Sequence, residues 1–374
     1  MNFEEHAGKD ILRSHGLPVP ESDPCSTVEE AETAAERLGP CVVKAQVPIG
    51  KRGKAGGIKF AVDLAEVRTH AQNILGMDIA GHSVGKVLIE QQVAFNAEYY
   101  AAVITDPLSK GPLVLFSAAG GMDIEEVVEK APDQLRRKEV DILNGFKIEE
   151  AHRMIDGLDL GGAEEAVANF LSSLYKVYRA RDAELIEINP LGNLGDGTVL
   201  ALDCKFVFDD QAASRHEDLV VKGTPDKLTA LEQEAKNRGL KYIELSGNVG
   251  ILANGAGLTM TTMDAVCYFG GTPANFLEIG GDAYTKGRDA LEIVFSNPAV
   301  KSLLVNFCGA FARTDVMAQG LVQAWEELKP TLPIFFTIHG TGEEEAVKLV
   351  RERLGVEPFD LMDDAVIAAV EAAK

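Results

Sequence analysis

The residues predict an α/β protein built in two unlike parts. Up to about residue 205, short apolar strands and helices mix irregularly around a Gly195-Asp196-Gly197 turn. That mixture predicts a largely antiparallel sheet. From about residue 241, strands and helices alternate regularly. That spacing predicts a doubly wound parallel sheet. A length of 374 residues fits two or three domains.

Taken in order, residues 3–15 predict a helix, ended by Gly16 with Pro18 and Pro20 beyond it. A helix over 27–38 precedes the strand Cys41-Val-Val-Lys-Ala-Gln-Val47. The glycine-rich basic loop Gly50-Lys-Arg-Gly-Lys-Ala-Gly-Gly57 follows, then a strand over 58–62 and a helix over 63–75. Strands are expected at Lys86–Glu90, Glu98–Asp106 and 112–118, and helices across much of 123–180. Ala183–Leu191 and Thr198–Lys205 form a strand pair, and 206–223 reads as a connection. Thr224 caps and Pro225 opens a helix closed by Gly239. Beyond it, strands near 241–246, 249–253, 274–278, 301–306 and 332–338 alternate with helices near 256–269, 286–296, 314–328 and 342–353. A boundary near 225–240 gives domains of 1–230 and 231–374.

The bulk numbers exclude several classes. A formal net charge of −22 argues against a nucleic-acid partner, which needs a basic footprint. Any anionic substrate must be held by local cations against that field. Five scattered cysteines, without a CxxC pair, predict reduced thiols. The seven histidines show no metal-type spacing. No apolar run approaches membrane-spanning length, and the opening residues lack signal-peptide character. A cytoplasmic location is the expectation.

Four motifs carry chemistry. Glu187 and Asn189 are two apart and share one strand face, and Asp203 can meet them from the partner strand. Oxygen donors converging there suit Mg²⁺ beside phosphate; a polar face meeting water is the alternative. Lys44 is a charge inside an apolar strand, followed by the 50–57 loop with Lys51, Arg52 and Lys54. Glycines admit close phosphate approach, although GxxxxGK[ST] is absent; an exposed basic hairpin tip is the alternative. Glu90 and Glu98 flank a strand junction where a carboxylate can accept from a ribose hydroxyl, or simply face water. Asn254-Gly-Ala-Gly257 follows a strand and starts a helix, with Asn254 able to cap it. Open first-turn amides there make an anion site at the carboxyl edge of the sheet. Gly280-Gly281-Asp282 and Gly309-Ala-Phe-Ala-Arg313 occupy equivalent strand ends.

In this order and spacing, Lys44 with its loop, Glu187-Ile-Asn-Pro190, Leu202-Asp203, Asn254–Gly257 and Pro273-Ala-Asn-Phe-Leu-Glu-Ile-Gly-Gly281 resemble the succinyl-CoA synthetase β subunits. The resemblance covers nearly the whole chain and implies an ATP-grasp domain followed by a flavodoxin-like CoA-ligase domain. It implies an α subunit that binds CoA and carries a phosphorylated histidine, in an αβ or α₂β₂ complex. The implied reaction is carboxylate + CoA + ATP giving acyl-CoA + ADP + phosphate through an acyl phosphate, with GTP left open as the nucleotide. By position, Lys44, Lys51, Arg52 and Gly53 would contact phosphates, and Glu90, Val93 and Glu98 the base and ribose. Asn189 and Asp203 would ligate Mg²⁺, and Glu187 would orient the α-subunit histidine. Asn254 and Ala310, Phe311 and Ala312 would face the carboxylate.

Departures from the family pattern bear on the acid. The usual His-Ala-Gly-Gly-Arg-Gly is Pro48-Ile-Gly-Lys-Arg-Gly53 here, so Lys51 replaces a glycine. The usual Gly-Gly-Ile-Val-Arg is Gly309-Ala-Phe-Ala-Arg313, and Asp-Val-Gly-Gly-Gly is Glu278-Ile-Gly-Gly-Asp282. One methyl-sized contact shifts substrate preference by roughly 1–3 kcal/mol. Succinate is therefore one expectation, and another short acid such as malate or sulfoacetate a second. A non-catalytic regulatory subunit is a further alternative, opposed by the intact Lys44, Glu187, Asn189 and Asp203.

Overall fold

The computed structural model describes residues 1–121, 134–225, 227–280 and 283–374. The chain divides into two compact units, Met1–Asp226 and Lys227–Lys374.

The first unit opens with α1 (Glu5–Ser14), β1 (Ser22–Cys25), α2 (Val28–Leu38), β2 (Cys41–Gln46), β3 (Ile58–Ala61) and α3 (Leu64–Ile74). The small pair β4 (Asp78–Ile79) and β5 (His82–Ser83) precedes β6 (Lys86–Gln91). The order β1-β6-β2-β3 makes an antiparallel four-stranded sheet. Thr27 caps α2 by accepting from the Glu30 amide, and Asp63 caps α3 by accepting from that of Glu66. Ala31, Ala35, Val67 and Ala71 of these helices pack on Val43, Ala45, Val87 and Ile89. Small helix residues let the helices lie close to the sheet.

A second sheet takes β7 (Ala97–Asp106), β8 (Gly111–Ser117), β9 (Leu135–Glu139), β10 (Ala183–Asn193), β11 (Val199–Ala201) and β12 (Lys205–Phe208). Its order is β11-β10-β7-β8-β9, with β12 also on β10, and its pairs are antiparallel. Helices α4 (Ile148–Ile155) and α5 (Glu164–Ala180) cover it, burying Val167, Leu171 and Leu174 on Val103, Ile186 and Ile188. From α1, Ala7, Ile11 and Leu12 join the same core. A 3₁₀ turn (Asp210–Arg215) and α6 (Glu217–Val220) follow.

Several expectations here need correction. Leu135–Glu139 is a strand, not helix, although it reads Leu-Arg-Arg-Lys-Glu. It is an edge strand, where charge is tolerated because one side meets water. The part of the expected helix at 123–133 lies outside the described residues. The strand expected over 198–205 breaks in two, β11 and β12, opposite the point where β10 bulges against β7 between Ile188 and Leu191. Asp203 sits in the break. The stretch after it is not a plain connection, since β12 runs to Phe208.

The second unit contains α7 (Ala230–Asn237), β13 (Lys241–Glu244), β14 (Val249–Ala253), α8 (Ala256–Tyr268), β15 (Asn275–Glu278), α9 (Ala283–Ser296) and β16 (Ser302–Gly309). It continues with α10 (Thr314–Leu328), β17 (Ile334–Gly340), α11 (Glu343–Leu354) and α12 (Met362–Ala372). The sheet order is β13-β15-β14-β16-β17. Four strands are parallel, while β13 runs antiparallel on β15 and caps that edge. Neighbouring residues face opposite helical layers: Leu252 and Leu303 meet Leu291, Met317 and Leu321, while Ile251 and Leu304 meet Val266, Val366 and Ala369. This is the doubly wound arrangement. Thr224 does not cap α7. Thr229 does, in a reciprocal capping box with Glu232, and Thr224 instead pairs its backbone with Asn2. Among the described residues no helix is long and apolar enough to cross a membrane.

Candidate functional site

In the first unit, the loop between β2 and β3 folds back on its own strand. The Gly57 amide donates to Arg52 O and its carbonyl accepts from Ala45, at 2.9 and 2.7 Å. A Cβ at Gly57 would lie 2.9 Å from that of Ala45, so only glycine permits this closure. The folded loop lines a cavity of about 720 Å³ with Lys51, Arg52, Gly53 and Lys54. Glu98, Glu187, Asn189 and Asp203 line it as well, with Phe60, Gly121 and Lys205. Most of the expected residues of this unit therefore share one space. Lys44 and Glu90 do not line it, and neither does Val93, half-buried after β6.

The three oxygen-bearing residues reach the cavity by different routes. Glu187 and Asn189 project from one face of β10, as their spacing requires. Asn189 Oδ1 accepts from the Gly121 amide at 2.9 Å. Asp203 comes from the break between β11 and β12, its Oδ1 fixed by the Cys204 amide at 2.7 Å. One carboxylate and one amide oxygen beside a second carboxylate form a hard donor set. That set fits Mg²⁺, which takes few protein oxygens.

Lys44 and Glu90 lie behind the cavity in a buried ion cluster. Lys44 Nζ donates to Glu5 Oε1, Glu90 Oε1 and Leu202 O, at 3.0, 2.7 and 2.7 Å. Lys9 Nζ donates to Glu5 Oε1 at 2.6 Å, to Leu202 O at 2.9 Å and to Glu90 Oε2. Arg52 donates to Glu5 Oε2 at 2.6 Å and embraces both Asp203 oxygens at 2.7 and 2.9 Å. Three cations thus meet three carboxylates, and the cluster is neutral. Burial opposes ionisation of Glu5, but Lys44, Lys9 and Arg52 together outweigh it and hold its carboxyl well below the usual range. For Lys44 and Arg52 burial likewise opposes the charge, and the surrounding carboxylates raise both above their ordinary values.

In the second unit, Asn254 follows β14, but it does not cap α8. Its amide makes a two-point clasp with the end of β16: Nδ2 donates to Cys308 O at 2.8 Å, and Oδ1 accepts from the Cys308 amide at 2.7 Å. Gly255, at φ 95°, takes the cap position without a side-chain bond. The first-turn amides of α8 thus lack a side-chain cap. The clasp joins the carboxyl ends of β14 and β16. Strand order reverses there, since the chain next adds β15 on one side and β16 on the other. The 309–313 turn leaves from that point. Phe311 is fully solvent-exposed and Ala310 exposed, whereas Ala312 packs toward the core. Arg313 pairs with Asp315 at 2.9 Å. Of the third expected turn, Gly280 is described, while Gly281 and Asp282 lie outside the described residues.

Comparison with known proteins decides the family. Residues 2–193 match the ATP-grasp domain family, and residues 252–362 match the CoA-ligase family. The succinate–CoA ligase [ADP-forming] subunit beta of Nautilia profundicola is 41% identical over 100% of this chain and 99% of its own length. The chain belongs to the succinate–CoA ligase β-subunit family. The [GDP-forming] counterpart of Thermus thermophilus is 43% identical over 94% of this chain and 93% of its own. In fold, the chain is similar to ATP citrate lyase from Methanothrix soehngenii, with a TM-score of 0.72, 23% identity and 99% of each chain covered. As a member of the succinate–CoA ligase β family, it is part of an NDP-forming acid–thiol ligase. The ATP-grasp domain marks it as nucleotide-binding, and a β subunit implies an α partner.

Sequence reasoning missed Glu5, Lys9 and Lys205. Glu5 and Lys9 read as an i,i+4 surface pair on an amphipathic helix. The signal was faint: that helix already has its apolar face in Ala7, Ile11 and Leu12.

Proposed function

We propose that the first-unit cavity binds ATP and Mg²⁺, and that the strand-end turns of the second unit receive the carboxylate and the α-subunit phosphohistidine. The observation that carries this reading is the cavity itself, which Lys51, Arg52 and Lys54 line together with Glu187, Asn189 and Asp203. Phosphoryl transfer needs positioning and charge neutralisation more than a protein nucleophile. Lys51, Arg52 and the Gly53 backbone would hold phosphate oxygens. Glu98 would meet the ribose, with Val93 nearer the base. Asn189 and Asp203 would hold Mg²⁺, which neutralises phosphate charge when bound. Arg52 would turn from Asp203 to phosphate, freeing the carboxylate for the metal without changing the local charge balance. Glu187 would orient the incoming histidine. In the second unit, the uncapped α8 amides would stabilise the phosphohistidine anion. Lys44 and Glu90 serve here as buried support.

Succinate is the acid the relatives' names favour. A different short acid is the second reading, favoured by Ala310 at a strand-end turn where its methyl is exposed. CoA ligation by the co-expressed αβ pair should be measured across succinate, malate, glutarate, sulfoacetate and acetate. Dominant kcat/KM for succinate supports the first reading; dominance of another acid replaces it. Asp203→Ala should abolish Mg²⁺-dependent phosphorylation of the α subunit, and unchanged phosphorylation would remove Asp203 from the site.

A further inference from the structure

We infer that Glu5, on the N-terminal helix, is a positioning residue for Arg52, the cavity-lining cation it holds, with Lys9 as its counter-charge. The inference rests on reading the first-unit cavity as the nucleotide site. Four observations carry it.

Glu5 is the branch point of the buried cluster. Its Oε1 accepts from both Lys44 and Lys9, and its Oε2 accepts from Arg52 at 2.6 Å. Of these cations, Arg52 stands on the cavity wall. Its guanidinium is held at Nη1 by Glu5 and Ala45 O, leaving Nη2 aimed at Asp203. Glu5 therefore sets which way the fork points.

Lys44 has no donor to spare. An ammonium carries three N–H bonds, and Glu5, Glu90 and Leu202 O accept them all. Lys9 is bound by the same three residues. Two lysines and two glutamates thus alternate around one backbone carbonyl. Removing Glu5 leaves an excess of buried positive charge.

The helix is seated to make this reach possible. Glu5 and Lys9 are one turn apart, so both face the cluster while Ala7, Ile11 and Leu12 enter the core. A Cβ at Gly8 would stand 2.9 Å from Cys204 Sγ, so glycine lets α1 approach the segment carrying Leu202 O and Asp203. Glu5 is 2% exposed and Lys9 fully buried, so neither is a solvated surface charge. The helix thus holds Arg52 from behind through Glu5, and Lys9 balances the charge.

The test uses the αβ complex and separates its two half-reactions. One is phosphorylation of the α subunit by Mg²⁺-ATP. The other is phosphorylation of the same subunit from acyl-CoA and phosphate, which releases CoA and the free carboxylate and does not use the nucleotide cavity. Glu5→Asp keeps the charge but shortens the reach, and Glu5→Gln keeps the length but removes the charge. Both should raise the nucleotide KM about tenfold or more, with the acyl-CoA half-reaction within about twofold of wild type. Where Glu5→Gln fails to fold, Glu5→Asp carries the test. Nucleotide KM unchanged in a folded Glu5→Asp variant overturns the inference, and so does an equal fall of both half-reactions. Lys51→Ala/Lys54→Ala is the control for the site itself. Unchanged nucleotide KM in that variant refutes the nucleotide reading, which is a different failure from that of Glu5.

Discussion

At the scale of single residues, backbone conformation and close approach decide more than chemistry alone. Lys51 has φ 63°, the left-handed region that favours glycine, at the place where the family pattern has one. A non-glycine residue pays about 1–2 kcal/mol there, against roughly 0.5–1 kcal/mol of extra chain entropy lost by glycine. Lys51→Gly should therefore raise stability by about 0.5–1 kcal/mol, while losing a cation from the cavity wall. Tm and nucleotide KM should both rise; a lower Tm would show that Lys51 is not strained. Gly8→Ala balances similar terms with the other sign. Alanine gains about 0.5–1 kcal/mol in helix propensity, but its methyl would press on Cys204 Sγ at 2.9 Å, an overpacking worth roughly 1–3 kcal/mol. The variant should be less stable by about 1 kcal/mol, and adding Cys204→Ala should recover most of that loss. Recovery is read in denaturant midpoints at constant m-value. The candidate site was legible where residue type and spacing suffice, as with Glu187 and Asn189 on one strand face. It was illegible where a charge is buried by tertiary packing, as with Glu5 and Lys9. Lys44 was noticed as a charge in an apolar strand, but its three internal acceptors come from residues up to 158 positions away.

At the scale of elements, local signals named most helices and strands, and their failures share a cause. A Thr-Pro pair and a Thr-x-x-Glu box stand five residues apart, and both are sound helix starts. The box at Thr229 wins because its two reciprocal bonds form, Thr229 Oγ1 accepting from the Glu232 amide and Glu232 Oε2 from that of Thr229. Thr224 is drawn into a backbone bridge with Asn2, a partner no local pattern reveals. Thr229→Ala should cost the second unit about 1 kcal/mol, and Thr224→Ala less than half of that by the ordinary range for surface changes. Equal losses, measured by urea unfolding, would mean the capping box contributes nothing. The same limit hid β9, whose Arg-Arg-Lys reads as helix surface until β8 supplies its partner. It also hid the break at Asp203, which lies opposite a bulge in the β10–β7 ladder. In the second unit the regular alternation was enough to read the parallel layers. The antiparallel β13 was not legible, because a strand's direction depends on where the chain re-enters the sheet. Asn254 illustrates the same point at the site: its sequence position suits a helix cap, but its side chain spans to β16.

At the scale of the whole molecule, two fields compete for every anion this chain is proposed to handle. The net charge of −22 repels nucleotide and carboxylate from a distance. Lys51, Lys54, Arg52 and Lys205 attract them within the cavity. The ranges differ, and ionic strength separates them. At 0.01 M salt the Debye length is about 30 Å, so the repulsion of the whole chain is felt; at 0.1 M it is about 10 Å, and only near charges count. Raising salt over that interval should therefore strengthen nucleotide binding, the reverse of the usual anion site. Toward 1 M the Debye length falls to about 3 Å, and the local cations are screened in turn. Nucleotide affinity should pass through a maximum near physiological ionic strength. Lys51→Ala/Lys54→Ala should weaken binding up to and around that maximum, have little effect toward 1 M where these cations are already screened, and so flatten the high-salt limb. Calorimetric titration of the αβ complex across this salt range reads both limbs. A monotonic loss of affinity from the lowest salt would mean the local cations outweigh the global charge at every distance. The acidic surface would then have no part in how this ligase subunit meets its nucleotide.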